Sequence, residues 1–501
     1  MAYLRPGVYV EEVLNPVAPV PSVGAGSIAA FIGVTDRGPA TPTLVTSWTQ
    51  YTSLYGSWGT NNTVTTAVYL FFANGGSQCY VQRVTAGSPA VATRSLNDTT
   101  SGTPVATLKL DAINVGAWGN SIWYKVTASQ ISTSYFNLEI YYGTTTAAGV
   151  LVERYADITM NTADANYAPT IINAKSNYVK ATDLVASDTF DDTDNPATTA
   201  NPIALTSGSD GTAPTATNIA AGVTAFDTVL DALILNAPGI TVAANVNTLL
   251  AYAGGRGDVF VVIDGVNDTA ANQITLAATY TSSPGYGAVY FPVLTIPSPT
   301  SAAQGATVVA NPGAAVMGVY VSTDTARGVF KSPAGLDARL SGVVSVPKLT
   351  SAELDSLNSA AAPVNAIRYI PGSGIVVMGA RTLKAGYADR YISVRRSLIY
   401  IEKSLKDLTR YAVFEPNDFR LWNSLTSEVS NFLTDFWAQG GLRGQTPDTA
   451  FFVRCDSTNN PTVTIDAGEV HIEVGVALQR PAEFVVIRIS QYDNGTVVTV
   501  S

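Results

Sequence analysis

The sequence predicts a multidomain α/β fold. Its core has a mixed sheet flanked by helices, interrupted by a β-rich insert and followed by a helical pair that leads into strands. Three observations predict this. Residues 27–84 and 258–296 each read strand, helix, strand, the order that parallel pairing requires. Residues 90–158 alternate apolar and polar in short bursts. Residues 391–439 carry two amphipathic helical stripes. At about 100–200 residues per domain, 501 residues make room for roughly three domains.

Taken in order, Pro6-Gly7 predicts a turn and Val8 to Val13 a short strand, after which Pro16, Pro19, Pro21, Gly24 and Gly26 mark a linker. SIAAFIGVTDRG (27–38) reads as a buried strand and turn, and Leu44 to Gly59 as a strand and short helix. Ala67 to Asn74 reads as a helix closed by Gly75 and Gly76, with a strand from Gln78 to Val84. TLKLDAI, SIWYKVT and FNLEIYY read as strands, residues 150–180 as strand and helix, and residues 186–202 as an acidic loop. The core resumes after LTSGSDGTAP (205–214). It continues with a helix over 219–235, an apolar strand at Asp258–Asp264, a helix candidate at Asp268–Thr281 and a second apolar run at Tyr286–Ile296.

Val394, Leu398, Ile401, Leu405, Leu408 and Ala412 alternate spacings of four and three, which sets one apolar stripe along a helix. Arg395, Arg396, Glu402, Lys403, Lys406, Asp407 and Arg410 occupy the other faces, with Glu402–Lys406 and Lys403–Asp407 spaced to pair. Pro416 breaks the helix, and Asn417 is the expected N-cap of the next one. Trp422, Leu425, Val429, Phe432 and Phe436 form its stripe, and Gly440-Gly441 end it. The last 51 residues read as strands at Phe451–Cys455, Glu469–Val476, Glu483–Ser490 and Thr496–Ser501. Asp493-Asn494-Gly495 signals a tight hairpin between the last two, and a C-terminal arm is the alternative.

Charged residues make up 13% of the chain, against about 25% in ordinary globular proteins. A surface so poor in charge is either weakly soluble or mostly covered by copies of itself, and the second fits a protein that polymerises. A net charge of −10 (28 basic, 38 acidic residues) argues against nucleic acid, whose binding needs cations to neutralise phosphates. No apolar run approaches the ~18 residues of a membrane span. Two cysteines far apart, Cys79 and Cys455, make no disulfide framework, and the N-terminus has no signal-peptide core, so a reducing cytoplasmic origin is expected.

Chemistry is sparse. Histidine catalysis would fall to His471, the one histidine, set between Glu469 and Glu473 on one strand face. No Walker loop, G-x-S-x-G elbow or Cys/His cluster occurs. Asp191, Asp192 and Asp194 lack the glycine and distal glutamate of a calcium loop. Arg256-Gly257-Asp258 stands directly before a buried strand and reads as a turn. The expectation is no catalytic residue, no cofactor and no metal.

RRSLIYIEKSLKDL (395–408), VFEPND (413–418) and Leu421-Trp422 resemble the tail sheath proteins of contractile bacteriophages, a family that also forms the shells of related injection devices. PGVYVEE near the start, STDTARGVFKSPAG (322–335), VNAIRYIPGSGIVVMGARTL (364–383), RCDSTNNP and RPAEFVVIRI extend the resemblance, whereas the β-rich insert lacks it. The resemblance implies an N-terminal arm and linker (1–26), a first part of the core (27–85), an inserted outward-facing domain (86–205), the core continuation (206–383) and a C-terminal sheath domain ending in a strand or arm (384–501).

It further implies a structural subunit, not an enzyme, that stacks as hexameric rings into a helical sheath around an inner tail tube. The sheath contracts on energy stored in its extended lattice and drives the tube through the host envelope. Baseplate and tail terminator proteins would meet its ends, with assembly in the host bacterial cytoplasm and residence in the virion tail. Val8, Tyr9, Val10 and Val13 at one end, and Val497, Val498 and Val500 at the other, would add strands to neighbouring copies. Lys403, Lys406 and Arg410, off the apolar stripe, are expected to contact an acidic patch on the tube. A type VI-like or tailocin sheath is the alternative. A serine-hydrolase-like enzyme is a remote one, for which a second base is missing.

Overall fold

The computed structural model describes residues 27–59, 62–100, 103–145, 149–185, 190–301, 303–386, 389–483, 490–493 and 496–499, the last two stretches by backbone alone. The expected arm residues Val8, Tyr9, Val10, Val13 and Val500, and most of the strand expected at 483–490, lie outside the described residues.

The chain opens with β1 (Ile28–Gly33), β2 (Thr43–Val45), α1 (Trp48–Tyr55), α2 (Asn62–Ala73) and β3 (Cys79–Arg83). Ser47 caps α1 by accepting the Gln50 N–H, and Gly75, at φ +94°, turns the chain after α2. The β-rich part follows: β4 (Thr93–Asn97), β5 (Ala106–Ala112), β6 (Ile122–Ala128), β7 (Phe136–Tyr142), β8 (Val150–Ile158), α3 (Ala168–Lys175), β9 (Val179–Asp183) and β10 (Ile203–Ala204). These strands form two antiparallel sheets, β10-β6-β7-β8 and β4-β5-β9. Both contribute to one apolar core that includes Leu108, Leu110, Val126, Leu138 and Ile140.

The third stretch carries α4 (Ala216–Ala221), β11 (Leu233–Asn236), α5 (Ala243–Arg256), β12 (Val259–Asp264), α6 (Ala270–Ala277), β13 (Gly287–Phe291), β14 (Leu294–Pro297), β15 (Thr307–Ala310), α7 (Gly313–Arg327), α8 (Ser351–Ser359), β16 (Val364–Ile370) and β17 (Gly374–Val377). With the opening strands it builds an eight-stranded sheet, ordered β17-β16-β13-β12-β11-β1-β3-β2. Pairing is parallel from β16 to β3 and antiparallel at the two rims, β17 and β2. Every residue of β12 is buried, because apolar clusters cover both faces. Phe31, Ile234 and Phe260 face α2 and α7, while Ile32, Leu235 and Val261 face α4 and α5.

The single helix expected over 219–235 does not form. After α4 a tight 3-10 stretch (Gly222–Thr228) leads into β11, whose four residues are all buried between β1 and β12. A short apolar run serves a helix or a strand equally, and two waiting sheet edges decided it. Arg256 and Asp258 do form a turn: the guanidinium ion-pairs Asp258 at 2.6 Å and donates to the carbonyls of Phe226, Val229 and Asp231.

The last stretch comprises α9 (Ile392–Leu408), α10 (Phe419–Ala438), α11 (Pro447–Ala450), β18 (Phe451–Arg454), α12 (Thr462–Asp466), β19 (Glu473–Val476), β20 (Ser490–Asp493) and β21 (Thr496–Thr499). Its final 51 residues are therefore not all strands. α12 intervenes, and the strand expected from Glu469 begins only at Glu473. The reason is local: the Asn460 side chain accepts the His471 N–H at 2.6 Å, and the Asn459 and Asn460 amides donate to the His471 carbonyl. Side chains thus take the bonds a strand ladder would use.

Candidate assembly surface

α9 joins the sheet core to the rest of the C-terminal stretch, and it packs on two sides. Ile392 and Ile399 belong to the core cluster that contains Phe31 and Tyr320. Ile401 joins Val429, Phe432 and Phe436 of α10, with Leu405 and Leu408 at the margin. The expectation of one apolar stripe with charged residues on the other faces is corrected here. Arg396, placed on a polar face, is buried, and Leu398 is only half-buried.

Arg396 reaches Asp324 of α7 through two nitrogens, Nη1 at 2.9 Å from Oδ1 and Nη2 on Oδ2, and its guanidinium lies 4.8 Å from the Tyr320 ring centre. Burial pulls the Arg396 pKa down, but Asp324 outweighs burial and leaves it raised, so the side chain stays a cation. Arg395 beside it pairs with Asp389 at 2.8 Å and lies over Tyr286.

All five residues assigned to the α10 stripe are buried. Its N-cap is Asp418, which accepts from Arg420 and Leu421, and not Asn417. Asn417 instead accepts the Trp422 indole N–H and donates to the Glu469 carbonyl, pinning α10 to the loop before β19. Gly440, at φ +90°, follows the helix end as expected.

Lys403 and Arg410 both pair with Asp407, at 3.0 and 3.1 Å. Lys406 is exposed and makes no ion pair among the described residues; the expected Glu402–Lys406 pair is not formed. Burial raises the Glu402 carboxyl pKa, with Arg395 opposing. Beyond Arg410 the link to α10 exposes Tyr411, Val413, Phe414 and Phe419, and Phe414 is held at φ +72° with its ring wholly in solvent. Sequence reasoning missed these aromatics, though two apolar residues directly before Glu415-Pro416, outside either stripe, were a usable signal.

β18 and β19 form a two-stranded antiparallel sheet. Phe451, Val453, Val474 and Val476 face the α10 cluster, while Phe452 and Arg454 face solvent. No third strand pairs with either outer edge among the described residues. Two strands alone are marginal, and unpaired edges are templates for further strands. β20 and β21 form a hairpin in which Val497 and Val498 oppose Tyr492 and Gln491.

His471 is exposed, with Nε2 at 3.0 Å from Glu469. Asp191 and Asp194 cap each other around a 3-10 turn, and no group able to hold a metal occurs among the described residues. Cys79 and Cys455 are buried free thiols. No described helix is long and apolar enough to cross a membrane.

Residues 388–491 match the family model described as the phage tail sheath C-terminal domain. Over 176 residues, 34% of this chain, the sequence is 30% identical to the tail sheath protein of Vibrio phage KVP40. That match spans a quarter of the relative's length. Among solved structures, the contracted helical sheath of the anti-feeding prophage covers 98% of this chain and is covered in full, at 23% identity and a TM-score of 0.59. The contracted sheath of the extracellular contractile injection system PVC covers 99% of this chain, with 98% of its own length covered, at 22% identity and a TM-score of 0.56. A sheath tail protein of Listeria innocua covers 91%, with 95% of its own length covered, at 14% identity and a TM-score of 0.62. These three likenesses are of fold. A curated sheath relative over a third of the chain and a sheath-like fold along nearly all of it agree with the matched domain: residues 388–491 belong to the phage tail sheath C-terminal domain family, and the chain as a whole is sheath-like in fold.

Proposed function

We propose that this chain is the structural subunit of a contractile sheath, stacked as hexameric rings around an inner tube. The observation that carries the reading is the β18–β19 sheet, whose inner face is packed and whose outer edges carry no strand among the described residues. Terminal strands from neighbouring copies would complete those edges: Val8, Tyr9, Val10 and Val13 from one, Val497, Val498 and Val500 from another. The linker at 14–26 would then act as a hinge, so rigid cores could change lattice without separating. The stretch near 491–496 would not act as a second hinge, because 490–493 and 496–499 pair as strands. Contraction needs no nucleotide if the extended lattice, assembled on the tube, packs less well than the contracted one.

In this reading the β4–β10 unit faces outward, and the sheath ends meet baseplate and terminator proteins in the tail of a phage or injection particle. Lys406 and Arg410, both exposed, and Lys403 beside them would contact an acidic patch on the tube. The 13% charge content fits a surface largely covered by other copies.

Electron microscopy of the purified chain tests the proposal. Tubes or stacked rings are expected from the full chain, and a folded core that cannot polymerise after deletion of residues 1–20. Monodisperse monomers from the full chain overturn the sheath reading; unaltered tubes after the deletion overturn the arm.

A further inference from the structure

A groove of about 350 Å3 opens at the seam between the core and the C-terminal helices, and Ser27, the first described residue, lines it. One wall is aromatic: Phe330, Tyr400 and Phe436, with Phe436 5.9 Å from Phe330 and 5.5 Å from Tyr400 between ring centres. Gln78 and Gln439 stand on its rim with side-chain amides that bond nothing among the described residues.

The segment that leads to Ser27 has a pattern suited to such a groove. From Leu14 to Gly26 it holds no charge. Leu14, Val17, Val20 and Val23 recur every third residue, and Pro16, Pro19 and Pro21 are interleaved. Three residues is the period of a polyproline II helix, so these four side chains would form one apolar ridge. Proline-rich ridges bind aromatic-lined grooves, where their stiffness keeps the ordering cost low, and their free backbone carbonyls accept from rim amides.

We propose that residues 17–26 of the same chain dock in this groove as a polyproline II ridge. Val20 and Val23 would lie against Phe330, Tyr400 and Phe436, and Gln78 and Gln439 would donate to the ridge's carbonyls. The occupant is the chain's own segment because Ser27 already lies in the groove. The seven residues back to Val20 span about 22 Å at ~3.1 Å each. Tethering at that range gives an effective concentration that a neighbour's segment would have to exceed. The arm proposed above would then start from a fixed point at the seam, with its hinge narrowed to residues 14–16.

The test uses the full chain diluted to monomers, so its result does not depend on whether the protein polymerises. Amide exchange of residues 321–330 is compared for wild type, Val20→Asp with Val23→Asp, and Ser22→Asp, which adds a charge off the ridge. The double variant is expected to exchange about ten-fold faster there, with Ser22→Asp unchanged. Equal rates in all three, or equal acceleration by both variants, overturn the proposal. In a Val23→Cys, Thr325→Cys chain, a disulfide within one chain is expected under mild oxidation; a crosslink only between chains, or none, overturns it.

Discussion

The β4–β10 unit and the α9–β19 unit are attached to the same core by arginines, yet by opposite physics. At the first junction Arg37 lies 5.3–5.5 Å from the ring centres of Trp118, Tyr142 and Tyr178 and donates to the Thr52 and Ser53 carbonyls. Arg83 donates to Val115, Gly38 and Asp36 carbonyls nearby. Entering and leaving strands also meet, with Ala90 bonded to Ser209. At the second junction ion pairs cross, Arg396–Asp324 from α9 to α7 and Arg381–Glu483 at 2.6 Å, beside the apolar contacts of Ile392 and Ile399. The first unit closes its own core and spreads its attachment over many neutral acceptors. The second leaves a sheet edge open among the described residues and adds pairs of opposite charge, one of them buried, to an apolar seam.

The comparison is broken most easily at the ion pair. Asp324→Ala strands a guanidinium in the interior and is expected to cost about 3–5 kcal/mol, read as a lowered urea midpoint. Arg396→Met with Asp324→Leu should recover most of that, since packed apolar groups replace buried pairs at little loss. A loss below about 1 kcal/mol for Asp324→Ala would mean the pair does not hold the junction.

Asp264 sharpens the point because it is a buried carboxyl with no cation paired to it among the described residues. It ends β12 and accepts from the Gly239 and Gly313 N–H groups at 2.9 and 2.7 Å. Burial pushes its pKa up to about 6, with the two backbone donors and Asn236 pulling the other way. A carboxyl raised in the folded state binds its proton more tightly there than when unfolded. This group's contribution is therefore greatest near pH 4 and declines as pH rises to about 6, by about 3 kcal/mol at ~1.36 kcal/mol per unit. Unfolding midpoints from pH 4 to 7 should show this slope, and Asp264→Asn should flatten it. An unchanged slope in the variant would assign the dependence elsewhere.

The smallest effect is expected at Arg37. Arg37→Ala removes the ring contacts and two carbonyl bonds, about 2 kcal/mol of local stability. Amides around Trp118, Tyr142 and Tyr178 should exchange about thirty-fold faster while Val259–Asp264 is unchanged. Equal acceleration in both places would show that Arg37 supports the whole fold and not the junction.

How legible each part was depended on how locally its residues are satisfied. β12, a continuous apolar run, and the α10 stripe were readable because burial on known faces is a property of spacing. The cap was misplaced by one residue because Asn417 and Asp418 are both good caps, and the Trp422 indole decided between them. Arg396 was unreadable: its partner lies 72 residues away, and an arginine without its partner looks like a surface residue.

By itself, the order of residues determined the alternation of strands and helices, the low charge, the two amphipathic helices and the resemblance to sheath proteins. These are set within a few turns of chain, where periodicity and composition act. Only the tertiary structure decided that 233–236 is a central strand, that 469–472 is held by asparagine side chains, and that α9 is packed on both sides around an ion pair. Those outcomes depend on which distant partner supplies a sheet edge, an amide or an opposite charge, and sequence spacing does not carry that information.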